Sequence, residues 1–263
     1  MVRDGVAYAV ALHFDSNVGM SYWDDLGRRK RTVGRPEWWK ERESLVLDWV
    51  LPSLKAQDMQ DFETWAFLDP RDAERNAALR RALYHHGIEA TYEGPRALRE
   101  AYRERCHWLC ILHTDSDDMA CRAALSDLLT VRPEPGLTAW WNKGFMYGIH
   151  DGRMKEMETF PPVGPAPFYA QWYPVDVLGS ARAWAEYREM WRMSQRHQDL
   201  RKKCRNTIEF DKIGYCGTIH GENTSRAWDN VNTNKRLGDE IVNPKKKNRI
   251  LDLFGVAQEL RQC

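Results

Sequence analysis

Over the first half of the chain, short apolar runs alternate with stretches of helical period. Tyr8–Phe14 (YAVALHF) is continuously apolar up to its end and stops at Asp15, the pattern of a strand buried on both faces. Asp15–Gly34 is polar. Pro36 then stands where a helix can open, because a first turn leaves its own N–H groups unused, and apolar positions continue to Leu54. Phe62–Leu68 (FETWAFL) predicts a second strand ending at Asp69. Arg71–His85 has helical spacing, Ala90–Tyr92 reads as a third strand, and Pro95–Arg105 as another helix. Trp108–His113 (WLCILH) is a fourth, wholly apolar strand that runs into Thr114-Asp115-Ser116-Asp117-Asp118, and helical spacing resumes over Met119–Leu129. Repeated strand–helix units predict an α/β fold with a mostly parallel central sheet and helices on both faces. Ligands of such sheets bind beyond the carboxyl ends of the strands, where Asp15, Asp69 and Asp115 all fall.

The second half is less regular. Leu137–Ile149 predicts a strand, with a turn near Asp151-Gly152 and a return through Phe160. The prolines of Pro161–Pro167 mark a loop, Ala181–Gln195 an amphipathic helix carrying Trp184 and Trp191, and Ile213–His220 (IGYCGTIH) a strand. Residues 221–249 are polar, and Ile250–Leu260 has the spacing of a short closing helix. The simplest organisation is one domain over 1–225 and an irregular, polar and basic C-terminal extension over 226–263.

Composition narrows the functions open to this pattern. A chain of 263 residues can bury a core without disulfides. Its net charge of +1 gives no global attraction to nucleic acid or membrane. The six cysteines do not have zinc-site spacing and read as buried thiols. No apolar run reaches the ~18 residues of a membrane span, and the N-terminus lacks a signal-peptide pattern, so the expectation is a cytoplasmic protein without a transmembrane span. Twelve tryptophans, with Trp38-Trp39 and Trp140-Trp141 paired, suit the stacking of sugars or bases, although core packing is the ordinary role of each.

Asp115-Ser116-Asp117-Asp118 is the strongest chemical signal. Three carboxylates at one strand end repel each other unless a cation joins them, and Mg²⁺ or Mn²⁺ takes oxygen ligands and bridges to phosphate. The same triplet could instead cap the following helix and face its dipole. His220, at the end of the late strand, becomes a ligand only if the fold returns that strand to the aspartates. The basic runs Arg28–Arg31, Arg201–Arg205 and Lys245–Lys247 read as solvated surface or as phosphate contacts. Hydrolase elbow, P-loop, zinc-protease and dinucleotide-binding motifs are all missing from the sequence.

With these residues in place, the chain resembles metal-dependent glycosyltransferases of the GT-A fold. More narrowly it is similar to a bacterial family named for rhamnosyl transfer. Three ordered blocks carry the likeness: LPSLKAQDMQDFETWAFLDP at Leu51–Pro70, LCILHTDSDDMACRAAL at Leu109–Leu125 and TIHGENTS at Thr218–Ser225. It departs from the family where His113 replaces an arginine before the aspartates, and where His13-Phe14-Asp15 replaces an Arg-Phe-Asn-like start. Both positions lie near the donor pocket, so the donor sugar does not carry over.

The resemblance implies a GT-A-like, Rossmann-like fold and Mn²⁺ or Mg²⁺ as cofactor. It implies Asp115, Asp117 and His220 as metal ligands, and Asp15, Asp69, Arg96, Arg99, Asp115 and Asp118 around the donor nucleotide. The reaction implied is transfer of a sugar from a nucleotide-diphosphate donor to an acceptor hydroxyl. If it inverts, a carboxylate must take the acceptor's proton, for which Asp176 comes first and Glu158 second. A glycan, a lipid-linked saccharide, a protein or a modified DNA base all suit as acceptor, and the basic C-terminal run is compatible with a peripheral place at an anionic membrane. Two competing expectations are a nucleotidyltransferase on the same fold and a non-enzymatic nucleic-acid-binding protein; the near-neutral charge disfavours the second.

Overall fold

The computed structural model describes residues 2–14, 36–70, 73–74, 76–158, 168–180, 204, 206–220 and 237–262. Asp15, the basic runs Arg28–Arg31 and Arg201–Lys203, Pro161–Pro167 and the helix expected over Ala181–Gln195 lie outside the described residues.

The amino half follows the alternation read from the pattern. Strands β1 (Val2–Arg3) and β2 (Val6–His13) lead to helix α1 (Pro36–Leu45), a π-helical turn (Val46–Val50) and helix α2 (Leu51–Lys55). Then come β3 (Glu63–Phe67), α3 (Ala77–His85), β4 (Ile88–Thr91), α4 (Pro95–Tyr102) and β5 (Trp108–Asp115). The widened turn has a local cause. Pro52 has no N–H for the carbonyl of Asp48 and its ring crowds it, and the Leu51 N–H reaches back to Val46 O.

The order β5-β2-β3-β4 is parallel throughout. In β2 a period of two sorts the side chains. Ala7, Ala9 and Ala11 face α4, packing with Leu98 and Tyr102, while Tyr8, Val10 and Leu12 face α1, α2 and α3. Helices therefore cover both faces here.

The carboxyl half changes the sheet's character. It comprises β6 (Asp118–Ala120), α5 (Ala124–Leu128), β7 (Thr138–Gly148), β8 (Met154–Glu158), β9 (Phe168–Pro174), β10 (Thr207–Ile219), β11 (Leu237–Glu240) and α6 (Pro244–Asp252). Among the described residues eleven strands form one sheet, with a main order β11-β8-β7-β9-β5-β2-β3-β4. The pairs β5–β9, β7–β9, β7–β8, β8–β11 and β6–β10 are antiparallel, and β7–β10 is parallel. The expected mostly parallel sheet is thus a mixed one. Beside β5 the pairing turns antiparallel, because β9 returns against it, and beyond that a parallel pair recurs at β7–β10.

Two element expectations also shift. Met119 belongs to strand β6, not to a helix, and α5 starts at Ala124. The last helix starts at Pro244, where Asn243 accepts hydrogen bonds from the Lys245 and Lys246 N–H groups, ahead of the expected Ile250. Its Ile250 and Leu251, with Phe254, pack on Phe145, Tyr147, Trp49 and Leu45.

Candidate metal centre

Three elements converge at the carboxyl end of β5. Asp115 closes that strand, opposite His13 at the end of β2, and the Ser116 N–H donates to His13 O at 3.1 Å. The chain then reverses into β6, whose Asp118 pairs with Gly217 of β10. Asp118 therefore starts a strand, and the helix-capping alternative for this triplet does not apply. Continuing parallel to β7, β10 delivers His220 to Asp117, with His220 Nε2 3.0 Å from Asp117 Oδ2. Thr218 fixes the same turn by donating from its N–H (3.2 Å) and Oγ1 (2.8 Å) to Asp117 O.

Asp115, Asp117 and Asp118 each offer an oxygen within 4.8 Å of the others, close enough to share one cation. Asp118 is 7% exposed, and among the described residues its Oδ2 has no hydrogen-bond partner. Gly217 makes the room, since a Cβ there would lie 3.1 Å from Asp118 Oδ1 and 2.7 Å from Met146 Sδ.

Helix α1 adds two charged groups that the sequence reading missed. Arg42 Nη1 donates to Asp117 Oδ2 at 2.9 Å and to Ser116 Oγ at 3.1 Å. Glu41 Oε1 lies 2.9 Å from His220 Nδ1, which orients the ring from behind. A signal existed. Arg42 stands on the buried stripe of Trp38, Trp39, Leu45 and Val46, and a charge on an apolar stripe needs a buried partner.

The three carboxyls differ because their neighbours differ. Burial pushes Asp115 up to about 7, Asp117's charge adds to this, and Arg42 opposes it. Burial also acts on Asp117, but Arg42 and His220 outweigh it and hold the carboxyl down at about 2. Asp118 is raised well above the carboxylate range by burial and by both neighbouring aspartates. Without a cation the site is therefore one ionised aspartate neutralised by Arg42, flanked by two carboxyls that favour keeping their protons. Fully ionised, the three aspartates and Arg42 leave a charge of about −2, and Glu41 behind His220 adds to it, which favours a divalent cation. The donor set is mostly oxygen, as Mg²⁺ and Mn²⁺ prefer.

Beneath the aspartates lies a neutral imidazole layer. His13 Nε2 and His113 Nδ1 are 3.1 Å apart, and the His113 ring stacks on Tyr169 with centroids 4.9 Å apart. Burial holds His13 down at about 4, and burial with His13 beside it holds His113 well below its ordinary value.

Other expected site residues stand apart from this cluster. Asp69 is buried just past β3, two strands from β5. Arg96 is exposed on α4 and pairs with Glu93 and Glu100. Arg99 lies one turn further along α4, whose Leu98 and Tyr102 pack on the alanine face of β2. Asp176 follows β9, where the Val175 N–H donates to His107 O at the amino end of β5. That is the opposite end of the strand from Asp115, ~26 Å away at ~3.3 Å per residue. Glu158 ends β8 opposite Lys143, well down β7 from the Gly148 end that approaches the site. The structure brings neither expected base to the aspartates. Trp140, Trp141 and Trp172 are fully buried and fill the core.

No family model matches the chain, so the narrower likeness to the rhamnosyl-transfer family has no such support. No curated protein matches it either. Among solved structures it is similar to S. aureus TarS 1–349 in complex with UDP, at 12% identity and a TM-score of 0.38, over 81% of this chain and 60% of that chain. The chain thus spans less than two thirds of that neighbour's length.

Proposed function

We propose that this chain is a divalent-cation-dependent glycosyltransferase that moves a sugar from a nucleotide-diphosphate donor to an acceptor hydroxyl. The observation that carries the reading is the carboxylate triad at the carboxyl end of β5, with Asp118 Oδ2 buried and, among the described residues, without a partner. The resemblance of the three sequence blocks to GT-A enzymes supplies the reaction class.

In this reading Asp115, Asp117 and Asp118 hold Mn²⁺ or Mg²⁺, with His220 beside them. The bound cation would neutralise charge on the departing diphosphate. Glu41 holds the His220 ring by Nδ1, which keeps Nε2 on Asp117 and limits that carboxylate's rotation. Thr218 holds the backbone of Asp117, so the turn carrying the ligands is fixed before any ligand arrives. The uncharged His13–His113–Tyr169 layer keeps water and counter-charge away from the floor of the site, which strengthens electrostatic contacts above it.

Thermal unfolding with UDP, GDP, ADP and dTDP, each with and without Mn²⁺, tests this on wild type and Asp118→Asn. The expected result is one nucleotide that stabilises wild type only with Mn²⁺, by ~2.7 kcal/mol at a hundredfold excess over Kd. Asp118→Asn should fold and lose that response. Folded wild type that no nucleotide stabilises would overturn the reading.

A further inference from the structure

Arg42 brings a permanent positive charge into an acidic site. Its guanidinium cannot lose its proton, and the residue is only 8% exposed. Nη1 is divided between Asp117 Oδ2 and Ser116 Oγ. Nε is buried and, among the described residues, has no hydrogen-bond partner. The guanidinium carbon lies 5.3 Å from the centroid of the Trp38 ring, which covers one side of the group.

This arrangement conflicts with a bound cation. Asp117 Oδ2 already faces both Arg42 and His220. A divalent ion sharing that carboxylate weakens its bond to Arg42, and a buried guanidinium short of counter-charge is unfavourable. An anion with several oxygens removes the conflict, because a guanidinium fork matches phosphate oxygens and its idle Nε supplies a further donor.

Resting on the cation reading above, we propose that Arg42 is a diphosphate-binding residue of this site. It exchanges Asp117 for the diphosphate oxygens as the cation takes Asp117, so that cation and diphosphate bind together and each binds weakly alone. Arg42 is then both the resting counter-charge of the empty triad and the group that makes cation and leaving group mutually dependent.

Calorimetric titration of two probes, Mn²⁺ alone and the preformed Mn²⁺–pyrophosphate complex, into wild type, Arg42→Gln and Arg42→Lys tests the exchange. Mn²⁺ alone should bind Arg42→Gln about 10-fold more tightly, since the competitor for Asp117 is gone, whereas the pyrophosphate complex should bind it about 10-fold more weakly. Arg42→Lys keeps the charge without the fork. Its affinity for Mn²⁺ alone should stay near wild type while its affinity for the complex falls, and it carries the test if Arg42→Gln does not fold. Opposite movement of the two affinities supports the exchange. In folded Arg42→Gln, movement of both affinities in one direction, or none, overturns it, and in folded Arg42→Lys an unchanged affinity for the pyrophosphate complex does so. Wild type that binds no Mn²⁺ overturns the cation reading as well, whereas Mn²⁺-dependent nucleotide binding that survives unchanged in Arg42→Gln overturns the Arg42 inference alone.

Discussion

Asp115 and His13 face each other across two strand ends and respond to pH in opposite senses. The folded-state value of Asp115 lies above the ordinary 3.8, at about 7, so the stability it contributes is full below 3.8 and is lost as pH rises towards 7. Asp118 acts in the same sense. His13 lies below its ordinary 6.5, at about 4, so its contribution is full above 6.5 and is lost as pH falls towards 4. Between those values the two slopes oppose each other, and above 6.5 only the carboxyls act. In EDTA the protein should lose stability as pH rises from 6.5 through about 7 and beyond, as Asp115 and then Asp118 give up their protons. Saturating Mn²⁺ should abolish the loss, because the cation takes the place of the protons. Asp118→Asn should reduce the slope of the EDTA profile to the part that Asp115 contributes. Denaturant titrations across that range check all three expectations, and an EDTA stability that rises with pH would refute the account of buried carboxyls.

At the level of elements, β10 shapes the site through two glycines of different kind. A Cβ on Gly214 would fall 2.1 Å from Trp141 Cγ and 2.3 Å from its Cβ, atoms too near the backbone to swing aside. A Cβ on Gly217 would meet Met146 Sδ, which is flexible, and Asp118 Oδ1, which is a proposed ligand. Gly214→Ala should therefore cost stability, ~3 kcal/mol as an overpacked site. Gly217→Ala should cost less stability but weaken Mn²⁺ binding by about 10-fold through Asp118. Unfolding curves and metal titrations on the pair distinguish the effects; equal loss of both properties in the two variants would mean that β10 acts only as a scaffold. The same elements show what was legible in the sequence. Strands β2 and β5 were, because burial on both faces leaves unbroken apolar runs. Strand β6 was not, because three residues carry too little periodicity to compete with the helical spacing that follows. The aspartates could be read from their position after β5. Arg42 could be read as a buried charge from its place on the apolar stripe of α1, but its partner could not, since the pairing spans 74 or more residues and forms only once α1 packs on the sheet.

Across the whole molecule, a parallel amino half and a mixed carboxyl half meet at β5, and the site stands on that seam. The amino half supplies β5 and α1, and the carboxyl half supplies β10. Local patterning predicts the strand–helix order of the amino half but neither β9 nor the junction, because strand direction at β9 depends on a return of the chain that no short window contains. The C-terminal segment bears on the same junction. Strand β11 pairs with β8, the Arg122 N–H donates to Leu253 O, and Phe254 is fully buried with Met119, Cys121, Trp49 and Phe145. Met119 adjoins Asp118 in β6, so Phe254 packs in the cluster that backs a proposed ligand strand. Phe254→Ala should destabilise the protein by ~3–5 kcal/mol, the usual cost of emptying a buried aromatic site. Because β6 is only three residues long and paired with β10 alone among the described strands, the cavity should also loosen Asp118. Mn²⁺ affinity should then fall even at temperatures where the variant remains fully folded. Val242→Ala, at a 77% exposed position in the same segment, is the matched control and should change neither property. If Phe254→Ala unfolds at the wild-type midpoint, the segment adds nothing to the core. If it is destabilised but binds Mn²⁺ as wild type does, the triad is held by β5 and β10 without help from behind.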